Sequence, residues 1–288
     1  MHRIVHIIAF IFLFAVLSCR EADFSQPNSL KKIQYALHHP EDNTILVAAH
    51  RASHSKYPEN SLEAIRHTIE IGADIIEIDV RSTRDGQLIL MHDATINRTT
   101  NGEGDVESMT FSRIRALHLG GSDKKHVYHI PTFTEALMEA KGKILVDIDI
   151  KSASVSKLVE VIHQLDMGDQ VIFFDGNFDV LDSVKILDST LMVMPRAQSA
   201  EKLTWMIDRY HPPIIHIDPD FFTPEVVQTI KDGHSRIWIN ALGKPDILAL
   251  LGFGGWSYAS LVNGGANVIQ TDRPAAMLKF LVKKERHW

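Results

Sequence analysis

The sequence predicts a (β/α)8 barrel, the TIM-barrel class, with a short insertion after the second strand. Three observations carry that prediction. Eight short apolar runs rich in Ile and Val are each followed by a segment of helical period, the repeat expected of a parallel barrel. Successive strand starts lie 20 to 32 residues apart, except that 69 residues separate Ile75 from Ile144. The chain has 288 residues, 45% of them hydrophobic, enough for the core of one such domain. A doubly wound open sheet shares this repeat and is the competing architecture.

In chain order, the first strand is expected at Ile45–Ala49 and its helix at Leu62–Ile71, capped by Asn60 or Ser61. The second strand is Ile75–Val80. The long interval after it contains a small strand, Leu88–Met91, and a glycine- and histidine-containing stretch up to Pro131, before a helix at Thr134–Ala140. Strand and helix then alternate as Ile144–Ile150 and Val155–Leu165, Val171–Phe174 and Phe178–Leu187, Leu191–Met194 and Ala200–Ile207. The last three pairs are Ile214–Ile217 and Pro224–Lys231, Arg236–Asn240 and Pro245–Leu251, and Val268–Thr271 and Ala275–Lys283. Thr223 before Pro224, and Asp272 ahead of Pro274, read as helix caps. Segments that follow a barrel strand's C-terminal end lie on the catalytic face, so the insertion is expected to wall a pocket.

The N-terminus reads differently. Met1-His2-Arg3 precedes an apolar run of fourteen residues, Ile4 to Leu17, broken only by His6. That is short of the about 20 residues of a membrane-spanning helix and suits the core of a secretory signal. The run ends Val16-Leu17-Ser18-Cys19, which resembles a bacterial lipoprotein signal with Cys19 as the lipidated residue. Residues 1–18 are therefore expected to be a lipoprotein-type signal peptide and 19–43 a polar tether with room for one short helix. Residues 44–288 would form a single barrel domain. The chain is expected to be exported, anchored as a lipoprotein facing the periplasm or cell exterior, and to touch the membrane only through that anchor. The alternative is a cleaved signal with an incidental cysteine. A single cysteine rules out a disulfide framework or a multi-cysteine zinc site. With 36 acidic against 30 basic residues, the chain has no basic excess arguing for nucleic acid.

Chemistry is concentrated at the strand ends. In Ile75-Ile76-Glu77-Ile78-Asp79-Val80 the period of two puts Glu77 and Asp79 on one face, with Ile76, Ile78 and Val80 on the other. The outer face of a barrel strand packs on helices, so the carboxylates point inward. The third strand repeats the device: Asp147, Asp149 and Lys151 share a face opposite Val146, Ile148 and Ile150. Clustered inward carboxylates repel one another, and a divalent cation relieves the repulsion, with oxygen ligands favouring Mg2+ or Ca2+. His50 and Arg51 end the first strand, and His92 follows the small one. Imidazole titrates near neutral pH and suits proton transfer. Arg51 offers a planar fork that matches phosphate oxygens, and Lys151 a balancing charge. This kit suits phosphoryl-ester chemistry, and no nucleophile elbow for acyl transfer is present.

A longer series of motifs carries a family resemblance. His50-Arg51, Pro58-Glu59-Asn60-Ser61, Gly72-Ala73-Asp74-Ile75-Ile76-Glu77-Ile78-Asp79-Val80, Thr83-Arg84-Asp85-Gly86 and His92-Asp93 occur in that order. Asn97-Arg98-Thr99-Thr100-Asn101-Gly102, Ile130-Pro131-Thr132, Trp238-Ile239-Asn240 and Ile269-Gln270-Thr271-Asp272-Arg273-Pro274 continue it. Together they resemble the signature of glycerophosphodiester phosphodiesterases across about residues 45–283. The resemblance implies a metal-dependent barrel that hydrolyses small glycerophosphodiesters to glycerol 3-phosphate and an alcohol. It implies His50 and His92 as the acid–base pair, with Glu77, Asp79 and Asp149 as ligands of Mg2+ or Ca2+. Arg51 and Lys151 would hold the phosphate, Glu59 would support the site from its loop, and Trp238 would line the glycerol side. Two positions depart from the family pattern. Asp149 stands where glutamate is usual, so the ion would shift, a water would intervene, or Asp147 would contribute. Ala52 stands where glycine usually follows His-Arg, and alanine takes positive φ less readily, so the loop is expected to run differently. The alternatives are a barrel phosphodiesterase for phospholipids or other diesters, and a lipoprotein that binds phosphodiesters without cleaving them.

Overall fold

In the computed structural model, residues 29–120 and 126–288 are described; Cys19 and the signal segment lie outside them. Nine strands form one sheet: β1 (Leu46–Ala49), β2 (Ile75–Ser82), β3 (Leu88–Leu90), β4 (Leu145–Ile150), β5 (Val171–Asp175), β6 (Met192–Ala197), β7 (Ile214–Ile217), β8 (Arg236–Asn240) and β9 (Val268–Thr271). Eight are parallel in the order β1-β9-β8-β7-β6-β5-β4-β2, and β1 pairs back onto β2, so the cylinder closes and the open sheet is excluded. β3 lies antiparallel on β2.

The helices are α1 (Leu30–His38), α2 (Leu62–Glu70), α3 (Phe111–Arg115), α4 (Phe133–Ala140), α5 (Val155–Gln164), α6 (Phe178–Leu187), α7 (Ala200–Tyr210), α8 (Pro224–Asp232), α9 (Lys244–Leu250), α10 (Gly254–Gly264) and α11 (Pro274–Lys283). Ser61 caps α2 by accepting from the Ala64 amide, and Thr223 caps α8 ahead of its proline. α10 was not foreseen, because Gly254-Gly255 and its uncharged sequence give neither helix propensity nor an amphipathic stripe. Asp272 is not a helix cap: Arg273 occupies the cap position of α11, and the Asp272 carboxylate is engaged elsewhere.

Period-two alternation decides what the barrel encloses. Ile76, Ile78, Val80, Val146 and Ile148 pack outward against the helices, while Leu46, Ala48, Ile75, Leu145, Ile172 and Val268 fill the inner floor. The floor is sealed by a segment expected to be tether. Ile33, Ala36 and Leu37 of α1 are at most 2% exposed and belong to the floor cluster, so the barrel unit begins before residue 44. A short helix there was allowed for, but its docking was not, because its apolar residues are few and isolated. Arg236, fully buried, ties it down. Its guanidinium donates to the carbonyls of Ala36 (2.6 Å), His39 (3.0 Å), Thr44 (2.8 Å) and Asn267 (3.2 Å), and burial pushes its pKa down to about 10.

The insertion after β2 is a small packed unit rather than a loose loop. Ile89, Met91, Ile96, Val106, Ile114 and Ile130 bury one another in a separate cluster. It carries His92, Asp93 and Arg98 to the C-terminal rim.

At the opposite end, the buried His287 ring meets Asp74 at 2.9 Å, and Asp74 in turn accepts from the Val47 amide. Burial disfavours the imidazolium, yet the Asp74 hydrogen bond and charge prevail and raise the His287 pKa. A raised histidine pKa gives stability that is complete below the ordinary value and lost as pH rises through the folded value. The stability gap between the native chain and His287→Gln is therefore expected to be larger at pH 5.5 than at pH 8.5 in urea denaturation. A gap that does not change with pH would contradict the pairing.

Candidate active site

The register of two neighbouring strands builds the centre of the site. Glu77 pairs with Asp147 and Asp79 with Asp149 across β2 and β4, so four carboxylates enter the barrel in two layers above the apolar floor. Glu77, Asp79 and Asp147 are at most 3% exposed. Burial, reinforced by neighbouring carboxylates, pushes Glu77 and Asp147 well above the usual carboxylate range, and burial also raises Asp149 against the pull of Lys151. Asp147 Oδ1 is buried without a hydrogen-bond partner.

Two basic side chains lean on this cluster. Lys151 Nζ lies 2.7 Å from Asp149 and 3.2 Å from Asp79. Burial would lower its pKa, but Asp149 and Asp79 hold it above the ordinary lysine value. The Arg51 guanidinium sits between Glu59 (3.0 Å) and Asp79 (3.5 Å), and its backbone amide donates to Glu77 Oε2 at 2.7 Å. Asn60 adds a side-chain donor to Asp79 Oδ2 at 2.8 Å.

That amide contact depends on an unusual loop. Arg51 and Ala52 have φ of +50° and +60°, a left-handed conformation costing about 1–2 kcal/mol per non-glycine residue. Ala52 thus takes up the positive φ that alanine adopts less readily than glycine. The Ala52 amide donates to the Glu77 carbonyl and the Asn60 amide to the Arg51 carbonyl, which hold the turn against its strain.

The two imidazoles are held alike. His50 Nδ1 is 2.7 Å from Asp272 Oδ1, and His92 Nδ1 is 2.6 Å from Asp93 Oδ1. Arg98 and His92 outweigh burial and hold Asp93 far below the usual range; the His50 contact outweighs burial at Asp272 and lowers it. An ionised carboxylate only accepts, so each Nδ1 carries the proton and each Nε2 is left for a ligand. His54 Nε2 also lies 3.5 Å from Asp272. Arg98 joins the two halves by donating to Asp93 (2.7 and 3.0 Å) and to Glu59 (2.8 Å from each of two nitrogens).

These groups surround a cleft of about 140 Å³ at the C-terminal rim. Of the residues expected from sequence, His50, Glu77, Asp79, His92, Asp149, Lys151 and Trp238 line it, as does Asp147. Arg51 and Glu59 stand behind that wall and reach it through Asp79 and Arg98. The opposite wall adds His216, Asn240 and Gln270, which the sequence reading had not singled out as site residues. His216 is nine-tenths buried, and burial takes its pKa down to about 4, so it is neutral at ordinary pH. Asp272, Asp93 and Arg98 belong to the family motifs, but nothing in their spacing tells that the two aspartates hold the histidines or that Arg98 holds Asp93.

The carboxylates suit a hard cation. Glu77, Asp79 and Asp149 each present an oxygen, and the three oxygens lie within 4.8 Å of one another. That is compatible with a shared divalent ion without a glutamate at position 149.

Residues 50–207, more than half of the chain, match the glycerophosphoryl diester phosphodiesterase family. A glycerophosphodiester phosphodiesterase from Caldanaerobacter subterraneus subsp. tengcongensis is 31% identical over 250 residues, covering 83% of this chain and 98% of the relative. The chain belongs to that family. Solved structures share the barrel. A glycerophosphoryl diester phosphodiesterase from Parabacteroides distasonis has a TM-score of 0.78 at 23% identity, covering 90% of this chain and 93% of its own. A phosphodiesterase from Oleispira antarctica, solved with the product sn-glycerol-3-phosphate, has a TM-score of 0.72 at 23% identity, covering 82% and 96%.

Glu59 bridges the two arginines that connect the histidine halves, and burial is outweighed by Arg98, so its pKa is lowered. Glu59→Ala removes the acceptor for both guanidinium groups and is expected to cost about 1–3 kcal/mol in denaturant unfolding. A loss below about 0.3 kcal/mol would show that the bridge contributes nothing measurable.

Proposed function

We propose that this chain hydrolyses glycerophosphodiesters to glycerol 3-phosphate and an alcohol by histidine acid–base catalysis at a site that takes a divalent cation. The observation that supports this most strongly is the cleft itself. Two imidazoles with carboxylate-fixed tautomers face three convergent carboxylates within one family fold.

Glu77, Asp79 and Asp149 would hold the cation, Mg2+ or Ca2+, with Asp147 behind them. When bound, such an ion stabilises negative charge on phosphate oxygens. Lys151 meets the phosphate from the cleft wall, and Arg51 adds positive charge from behind Asp79. His50 Nε2 takes the proton from the nucleophile, either water or the glycerol 2-hydroxyl; in the second case a cyclic phosphate forms first and water then opens it to glycerol 3-phosphate. For the acid step His92 carries a proton on Nε2 as well as the one on Nδ1 that Asp93 accepts, and it gives the Nε2 proton to the leaving alcohol oxygen as its bond to phosphorus breaks. Asp272 and Asp93 hold each ring so that Nε2 stays on the cleft side and stabilise the imidazolium when it forms. Trp238 lines the apolar part of the pocket beside the glycerol.

A second reading has one observation in its favour. Leu250, Leu251, Phe253 and Trp256, at the turn joining α9 and α10, are 61%, 64%, 62% and 71% exposed. An apolar edge beyond the end of β8 would suit a substrate presented at a lipid surface.

Glycerophosphocholine, glycerophosphoethanolamine and phosphatidylcholine vesicles, each incubated with the protein, separate these readings. Free glycerol 3-phosphate from the water-soluble diesters is expected. His50→Ala and His92→Ala should each lower kcat at least about 100-fold, and thorough dialysis against EDTA should abolish turnover until Mg2+ or Ca2+ is restored. Cleavage of vesicles alone would favour the lipid substrate, and saturable binding without product would make the chain a capture protein. Full activity after EDTA would remove the cation.

A further inference from the structure

One helix of the barrel is inverted in its burial. The only buried residue of α9 is its aspartate, Asp246, at 3% exposure, while Ile247 and Leu250 on the same helix are 57% and 61% exposed. Burying a carboxylate and leaving two aliphatic side chains in water is costly, and it takes specific partners to offset it.

Those partners lie at the end of β9. Asp246 Oδ1 accepts from Thr271 Oγ1 at 2.6 Å and from the Tyr258 hydroxyl of α10 at 2.8 Å. Asp246 Oδ2 accepts from the backbone amide of Asp272 at 2.8 Å. The Thr271 hydroxyl accepts in turn from the Arg273 amide at 2.9 Å, and the Thr271 carbonyl accepts from the His50 amide at 3.2 Å. The Thr271–Asp272 step is therefore clasped from both sides, by Asp246 and by the end of β1. The Asp272 side chain itself is 39% exposed, so packing does not fix its direction. Its backbone must.

We propose that Asp246 is a positioning residue for the reaction, holding the Asp272 backbone from the first turn of α9 so that the Asp272 carboxylate orients His50. The inference rests on the reading of His50 as a catalytic imidazole. It adds a position outside the cleft that reaches the chemistry through two hydrogen bonds in series. Asp246→Asn keeps the size of the side chain but has one acceptor oxygen where the carboxylate has two, so the hydroxyls of Tyr258 and Thr271 must turn from donors into acceptors if the Asp272 amide is to keep its partner. The clasp loses its charge and its hydrogen bonds are rearranged.

Kinetics of Asp246→Asn, Asp272→Asn and the double variant, on a water-soluble glycerophosphodiester, test this. Asp246→Asn is expected to lower kcat about 10- to 100-fold with KM changed less than about threefold. The double variant should be no slower than Asp272→Asn alone, because both changes break one path. Losses that multiply in the double variant, or a kcat for Asp246→Asn within twofold of the native chain, would overturn the proposal. A 15N-edited NMR spectrum of the imidazoles reads the same clasp without turnover. The hydrogen-bonded Nδ1 proton of His50 should shift in Asp246→Asn as it does in Asp272→Asn, and an unshifted signal would overturn the proposal even in a chain that cleaves no diester. Absence of diester cleavage by the native chain, with the shift present, would instead count against the reading of the reaction. Should Asp246→Asn fail to fold, Asp246→Glu, which moves the carboxylate by one methylene, carries the same comparison.

Discussion

Carboxylate crowding is the constraint on which the rest of this molecule turns. The parallel register of β2 and β4 sets Glu77 beside Asp147 and Asp79 beside Asp149, inside a closed cylinder where water is scarce. Charges so placed are expensive to ionise, and the raised pKa values of Glu77, Asp147 and Asp149 express that cost. Lys151, Arg51 and Asn60 offset part of it. Buried charges are often no more stabilising than apolar side chains of similar volume, so the cluster is better accounted for by the proposed binding of a positive charge than by stability.

Everything around the cluster keeps it in place without neutralising it completely. The strained turn at Arg51 and Ala52 aims an amide at Glu77. The insertion brings His92 in from one side, and β1 brings His50 from the other. Each ring is fixed by its own ionised carboxylate, and Arg98 and Glu59 stiffen the path between Asp93 and Arg51. Below, α1 and Arg236 close the floor, and among the described residues the cleft lies at the C-terminal rim.

What could be read from the sequence follows from which physics is local. Strand alternation depends on neighbours two residues apart, so the inward direction of Glu77, Asp79, Asp147 and Asp149 was legible, as were the eight strands and most helices. Ring closure was expected but not decided by the repeat, which an open sheet shares, and the β1–β2 pairing demonstrates it. Contacts between residues distant in the chain were not legible. His50 and Asp272 are 222 positions apart, and Arg236 reaches Ala36 across 200. Asp272 was read as a cap because proline follows closely, a local signal that the tertiary contact overrode. Helix α1 looked like tether because three buried side chains in a polar segment carry meaning only once the open floor above them is known. Inverted burial in α9 and the glycine start of α10 mislead for the same reason, since both helices are held by partners that lie outside their own sequence.

Glu77, Asp79 and Asp149 are proposed to hold a divalent cation together. Anomalous diffraction from crystals grown with Mn2+, an ion suited to carboxylate ligands, tests it most directly. A peak between those three side chains is expected. A peak elsewhere, or none at saturating Mn2+ with the three carboxylates still bonded only to Lys151, Arg51 and Asn60, would contradict it.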